Sequence, residues 1–405
     1  MWLALVGCAP DDPVGLGSSL AEDVSCGDAP GCVAAPAADA SVLVAQAAIG
    51  PDGAAWLSWV DLVQPGVGWF RIARSPSPGV IEPAVAVPVA EVPIASSTEK
   101  PSLAVRGDRI AIAYSGYGVA RHADAHAMYV QLATVAGGVP AFADPVQIDT
   151  SEGETSVMED ARVALAPDGE AWVFWKRQDW GISDYPTFAR ESDGYVPAEV
   201  NAELPHDHDC SPPDLRFGRA TGQPLLSIRG NLSDHLQTLV LVGDDGGFAR
   251  PVQVSDDDYP YNREICPTQG PRTDELPDGT LIAAWIAPGL DEVLRASTAS
   301  STDGGQTWSL AVVDHGEAEV SERWLAMTTT DEGGLLIAVE QPAGTTLYRR
   351  DAVGDPASPG PADEALALLS GVGDPLYQVE LAAGAGRSVA LGKDLATGRL
   401  WLVDL

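Results

Sequence analysis

Ser301-Thr302-Asp303-Gly304-Gly305-Gln306-Thr307-Trp308 is the stretch from which the fold is read. An aspartate, two glycines and a threonine in this order describe a tight hairpin. Asp303 can accept hydrogen bonds from turn amides, and Gly304 and Gly305 tolerate positive φ. Trp308 then packs against a neighbouring sheet. Eight residues make a turn and not a fold, so the reading depends on what recurs around them.

What recurs is a turn followed by a strand. Pro51-Asp52-Gly53 leads into Ala55-Trp56-Leu57-Ser58-Trp59. Pro167-Asp168-Gly169 leads into Ala171-Trp172-Val173-Phe174-Trp175, and Pro277-Asp278-Gly279 into Leu281-Ile282-Ala283-Ala284-Trp285. Weaker copies centre on Gly107-Asp108, Thr221-Gly222, Glu332-Gly333 and Ala385-Gly386. The seven turns are spaced by about 55 residues, a period that belongs to propellers and solenoids. Each unit reads as four antiparallel strands, which is one propeller blade. The expected fold is therefore an all-β propeller with seven blades, six being the runner-up. The last unit stops at its third strand, Leu400–Leu405. A ring needs closure, and Gly31-Cys32-Val33-Ala34-Ala35 is the candidate for the missing outer strand. The tryptophans at 56, 59, 172, 175 and 285 lie in strands and are expected in the core.

Composition sets bounds. The 405 residues carry a net charge of −35 with only 23 Lys and Arg. No basic surface for nucleic acid is expected, and the body would be repelled by anionic membranes. Residues 9–40 are rich in Ala, Pro, Gly, Asp and Ser, and read as a flexible tether that includes the closing strand. Residues 41–405 form the propeller, and no later segment is apolar and long enough to span a bilayer. Of the five cysteines, Cys26 and Cys32 bracket a short loop. Cys210 and Cys266 recur at like positions in neighbouring repeats. Two disulfides in an oxidising compartment fit this count.

The Ser301–Trp308 stretch resembles the Asp box, S-x-D-x-G-x-T-W, of the sialidase-like propellers with BNR repeats. The N-terminus, Leu5-Val6-Gly7-Cys8, resembles a bacterial lipobox. That resemblance implies that residues 1–8 are a lipoprotein signal-like segment cleaved before Cys8, with lipidation of the Cys8 side chain and display on the cell envelope or surface. Membrane attachment is expected through that lipid alone. In the sialidase-like family, ligands bind over the axis at the end opposite the Asp boxes. Three arginines grip the substrate carboxylate, a Tyr nucleophile is activated by a Glu, and an Asp serves as acid/base. Here Glu264, Arg272, Arg323 and Tyr377 follow the family order, and Asp124 and Asp160 are the available acids. Phe70-Arg71-Ile72-Ala73 resembles the motif of the first family arginine but falls on a third strand instead of an innermost one.

Read from the residues themselves, Arg162, Arg216, Arg272 and Arg323 each sit near the start of an innermost strand. Converging guanidiniums would hold a carboxylate or sulfate bidentately. Asp160, Asp214 and Glu322 lie beside three of them, so pairing within the protein is the alternative. Trp180 and Tyr185 flank a charged loop and offer faces on which sugars stack. His206, Asp207, His208 and Asp209 are candidate metal ligands for Zn²⁺, and Asp256-Asp257-Asp258 would suit Ca²⁺. A cofactor is otherwise not expected. The functional expectation is a monomeric, non-catalytic binding module for an acidic glycan or a protein. A sialidase-type glycoside hydrolase and a structural scaffold are the alternatives.

Overall fold

The computed structural model describes residues 32–34, 41–64, 67–90, 101–117, 126–150, 156–179, 183–200, 204, 212–231, 236–244, 246–255, 270–288, 294–314, 324–341, 343–350, 364–369, 375–394 and 396–405. They form seven antiparallel sheets, one per repeat. The seven-blade reading holds, and no α-helix occurs among the described residues. Blade one comprises Ser41–Ile49, Ala55–Gln64, Val67–Ser75 and Val85–Ala86, from the innermost strand outward. The innermost strands of blades two to seven are Ser102–Arg106, Ser156–Leu165, Asp214–Phe217, Arg272–Glu275, Leu325–Thr329 and Leu376–Gly384. Blades two and four each carry an extra short strand, Val139–Phe142 and Gly247–Phe248, on the third strand.

Blade seven is completed from the other end of the chain. Its third strand, Leu400–Asp404, pairs antiparallel with Cys32–Ala34, with Cys32 opposite Trp401. The closing strand sits where the sequence placed it, and it covers an edge that would otherwise be open to pairing with another chain. Cys32 is buried there. Its expected partner Cys26 lies outside the described residues, as do Cys8, Cys210 and Cys266.

The core lies between blades. Each of the seven interfaces has its own apolar cluster, from Ala113, Val130, Val163 and Trp175 between blades two and three to Leu57, Trp59, Val389 and Leu402 between blades seven and one. All five strand tryptophans are buried, as expected. Trp175 keeps its indole N–H satisfied by donating to Asp149 in blade two at 2.9 Å. This is the usual requirement for a buried Trp.

The repeated turns gather at one end of the ring. In the three Pro-Asp-Gly copies the aspartate Oδ1 accepts the amide two residues on: Asp52 from Ala54, Asp168 from Glu170 and Asp278 from Thr280. Gly169 and Gly279 sit at φ 91° and 88°, where a Cβ would be strained. Ser301–Trp308 joins the third and fourth strands of blade five at the same end. Asp303 accepts from the Ser301 hydroxyl and the amides of Gln306 and Thr307 through Oδ1, and from the Thr307 hydroxyl through Oδ2. Trp308 donates back to the Gly305 carbonyl at 3.1 Å. Thr307 first, with the other donors, holds the Asp303 carboxyl far below the usual carboxylate range.

Candidate functional site

An innermost strand has a sheet neighbour on one side only. Its inner edge presents N–H and C=O groups that need partners. The sequence supplies them from the preceding blade. Gln46 Oε1 accepts from Leu103 N–H at 2.7 Å, and Ser102 Oγ from Val163 N–H at 3.0 Å. Asp214 Oδ2 accepts from Thr273 N–H at 3.1 Å, and Asp274 Oδ2 from Thr329 N–H at 3.0 Å. Between blades three and four the sense reverses, and Arg162 Nε donates to the Pro213 carbonyl at 2.7 Å. Between blades six and seven, Glu340 Oε2 accepts from Gln378 N–H at 2.9 Å. A belt of side-chain staples therefore runs round the axis from blade one to blade seven.

In blades three to seven this belt is charged. Arg216 donates through Nε to Asp214 at 3.0 Å, to Asp274 at 3.3 Å, and to the Met327 carbonyl of blade six at 3.2 Å. Arg272 reaches from blade five to Glu380 of blade seven at 3.2 Å, with Asp214 at 3.8 Å. Arg162 also donates to the Ala161 carbonyl at 2.6 Å. Asp160 forms a buried ion pair with Lys176 at 3.0 Å. Asp160 lies in a bulge of its strand with φ 59°, and Gln378 lies in a matching bulge of blade seven with φ 51°. Such bulges bend a strand and re-aim its side chains.

Exposure separates these groups. The Arg216 side chain is 27% exposed and Glu380 12%, against 6% for Arg272. Arg216 is enclosed by protein but faces the axial channel. Burial works against its charge, and Asp214, Asp274 and Glu380 outweigh that, so its pKa is raised. Arg162 is fully enclosed. Burial lowers its pKa, and Asp160 only partly offsets this.

At the Asp-Gly end the axis is crossed by Arg219, from the turn of blade four. It donates to Asp331 of blade six and to the Ala383 carbonyl of blade seven, each at 2.7 Å. Buried Glu275 ties that same turn down, accepting from Ala220 and Thr221 N–H at 2.8 and 2.9 Å. The innermost strands begin, and the second strands end, at the opposite end, the mouth.

Of the arginines named from the sequence, Arg162, Arg216 and Arg272 meet on the axis, each engaged by carboxylates or carbonyls of the protein. Arg71 is on a third strand, as read, and pairs with Asp61 at 2.5 Å. Tyr377 lies near the start of the innermost strand of blade seven, half-buried, opposite Lys393. Burial lowers the Lys393 pKa, and Asp394 opposes this. Tyr185 is on the third strand of blade three, opposite Arg177. Asp124, Glu264, Arg323, Trp180, His206, Asp207, His208, Asp209 and Asp256–Asp258 lie outside the described residues. Among the described residues no group of three His, Cys, Asp or Glu is placed to hold a metal ion.

The sequence reading missed Lys176, Asp274 and Glu380. A signal for Asp274 was present. Asp214-Leu215-Arg216 and Arg272-Thr273-Asp274 carry opposite charges at alternate positions, so once both strands are set side by side each acid faces a base.

No family model matches the chain, and no curated protein matches it. Solved structures do match in fold. An α-L-arabinofuranosidase of family GH93 from Fusarium graminearum, in complex with arabinobiose, superposes with a TM-score of 0.53 at 10% identity, over 93% of this chain and 97% of that one. The polysaccharide lyase Uly1 gives 0.54 at 9% identity, over 87% and 88%. A Trypanosoma rangeli sialidase gives 0.45 at 11% identity, and the match spans only 55% of that enzyme. At these identities the first two likenesses speak to the fold alone, and the third carries no weight.

Proposed function

We propose that the chain is a non-catalytic glycan-binding propeller, held outside the cytoplasm by a lipid on Cys8, whose ligand sits over the axial mouth. The observation that carries this reading is the charged belt. Blades one and two staple their inner edges with the neutral Gln46 and Ser102, so the ring does not need ions for that task. Burying a charge costs several kcal/mol before pairing returns it. Blades three, four, five and seven nonetheless bring Arg162, Asp214, Arg216, Arg272, Asp274 and Glu380 together on the axis. Charge in excess of what folding requires, gathered on the axis below the mouth, marks a candidate binding site. The glycan class is suggested by the arabinofuranosidase and the lyase of like fold. A scaffold role is less favoured. Among the described residues, exposed large apolar side chains such as Val85, Val139, Val196 and Leu310 belong to different blades.

The test is a panel of immobilised glycans probed with the intact chain, beside fluorogenic sialosides and arabinofuranosides. Binding without turnover is the expected result. Turnover abolished by Tyr377→Phe would replace this reading with the hydrolase, and failure to bind any glycan would remove it.

A further inference from the structure

Three carboxylates and three guanidiniums share the axial level: Asp214, Asp274 and Glu380 with Arg162, Arg216 and Arg272. Their charges balance, within a body of net charge −35. Arg216 and Glu380 show the channel the most side-chain surface of the ion pairs on this belt. A guanidinium carries five N–H groups. Arg216 commits three of them to Asp214, Asp274 and the Met327 carbonyl among the described residues, which leaves two for the channel. Glu380 lies on the same axis, where both its oxygens accept from Arg272 at 3.2 and 3.4 Å, and Arg272 in turn lies 3.8 Å from the Asp214 that holds Arg216; a carboxylate offers about four acceptor sites.

We propose that Arg216 and Glu380 act together as a recognition pair for the hydroxyl groups of an uncharged sugar. This rests on the glycan reading and narrows it. A sugar hydroxyl both accepts and donates, so it can take an N–H from Arg216 and give its own proton to Glu380. A carboxylate ligand can only accept. It would be drawn to Arg216 but pushed away by Asp214, Asp274 and Glu380, which already neutralise the guanidiniums. The acidic ligand that converging arginines suggest in the sequence is thus disfavoured by the carboxylates that converge with them. The two side chains also come from blades four and seven, on opposite sides of the ring. A ligand that satisfies both must lie on the axis.

The experiment is calorimetric titration of the full chain with matched neutral and uronate oligosaccharides drawn from a glycan array, at low and high salt. The neutral member should bind at least about tenfold tighter, because a site built around hydroxyl hydrogen bonds penalises ligands that leave its polar groups unpaired. Its affinity should not change with salt. Arg216→Lys keeps the charge and loses the fork, and should weaken binding about tenfold or more. Glu380→Gln is the second variant, should Arg216→Lys not fold, and it should also weaken binding. Ser102→Ala, a neutral staple elsewhere in the belt, should leave affinity unchanged. Tighter binding of the uronate, falling steeply with salt, would overturn this inference and leave the glycan reading standing. So would wild-type affinity in both Arg216→Lys and Glu380→Gln. Binding of no sugar at all would overturn both.

Discussion

If the innermost edges are satisfied by side-chain staples, removing one should cost stability in proportion to what it leaves orphaned. Asp274 is the strongest case. It is buried, and its Oδ2 serves both Thr329 N–H at 3.0 Å and Arg216 at 3.3 Å. Asp274→Ala leaves the Thr329 N–H buried without that acceptor, at about 1–3 kcal/mol. It also removes one of the two carboxylates that hold Arg216. Breaking a buried pair costs about 3–5 kcal/mol in general. Arg216 keeps Asp214 and some solvent, so the total should fall at about 3–4 kcal/mol. Ser102→Ala removes one neutral bond, to Val163 N–H, and should cost about 1–2 kcal/mol. Asp274→Asn keeps an acceptor for Thr329 and should fall between them. Urea unfolding measures all three as shifts in midpoint at unchanged slope. If Asp274→Ala lies within about 0.5 kcal/mol of wild type, as a surface substitution would, channel water satisfies these edges and the staple argument fails. If Ser102→Ala costs as much as Asp274→Ala, the charge adds nothing.

Two further outcomes are expected. The Asp303 carboxyl is held below its ordinary value of 3.8 by the folded turn. Its stabilisation is therefore present above that value and lost as pH falls toward the folded one, so Asp303→Asn should flatten the acid limb of stability against pH below about 4; parallel curves for the two proteins would refute this. Second, a Cβ on Gly270 would lie 1.6 Å from the Pro212 carbonyl oxygen. Pro212 and Gly270, at the starts of blades four and five, therefore touch, and Cys210 and Cys266, a few residues upstream in sequence, are expected to be bonded to each other. Non-reducing peptide mapping should return that linked pair, and alkylation of both without reductant would exclude it.

The fold was legible because its signals are local and repeated. Seven Asp-Gly-type turns at a period of about 55 residues, three of them Pro-Asp-Gly, mark the blade count, and the strand tryptophans mark the blade interfaces. The unfinished last unit also pointed to a closing strand elsewhere, and Cys32–Ala34 was the stretch it required. The candidate site was only partly legible. Arg162, Arg216 and Arg272 stand out as rare cations in an acidic chain. Their partners do not stand out, because Asp274 and Glu380 are two acids among 58. Pairing between Arg272 and Glu380 joins residues 108 apart in sequence, and nothing local announces it. The level of each side chain on the axis depends on inner-strand register. In blades three and seven that register is shifted by the bulges at Asp160 and Gln378, so counting back from the turn alone misplaces everything above them.

Strand direction adds a constraint that neither the closing strand nor the site gives alone. Every innermost strand runs from the mouth to the Asp-Gly end. Three antiparallel pairings later in blade seven, Cys32–Ala34 must run the opposite way, from the Asp-Gly end toward the mouth. Its register sets Cys32 opposite Trp401 and Ala34 opposite Leu400, at the start of the third strand and so at the mouth end of blade seven, away from the end that Arg219 bars with Asp331 and the Ala383 carbonyl. The strand that seals the fold therefore covers the outer edge of blade seven at the same end of the ring from which Arg216 and Glu380 are proposed to take their ligand.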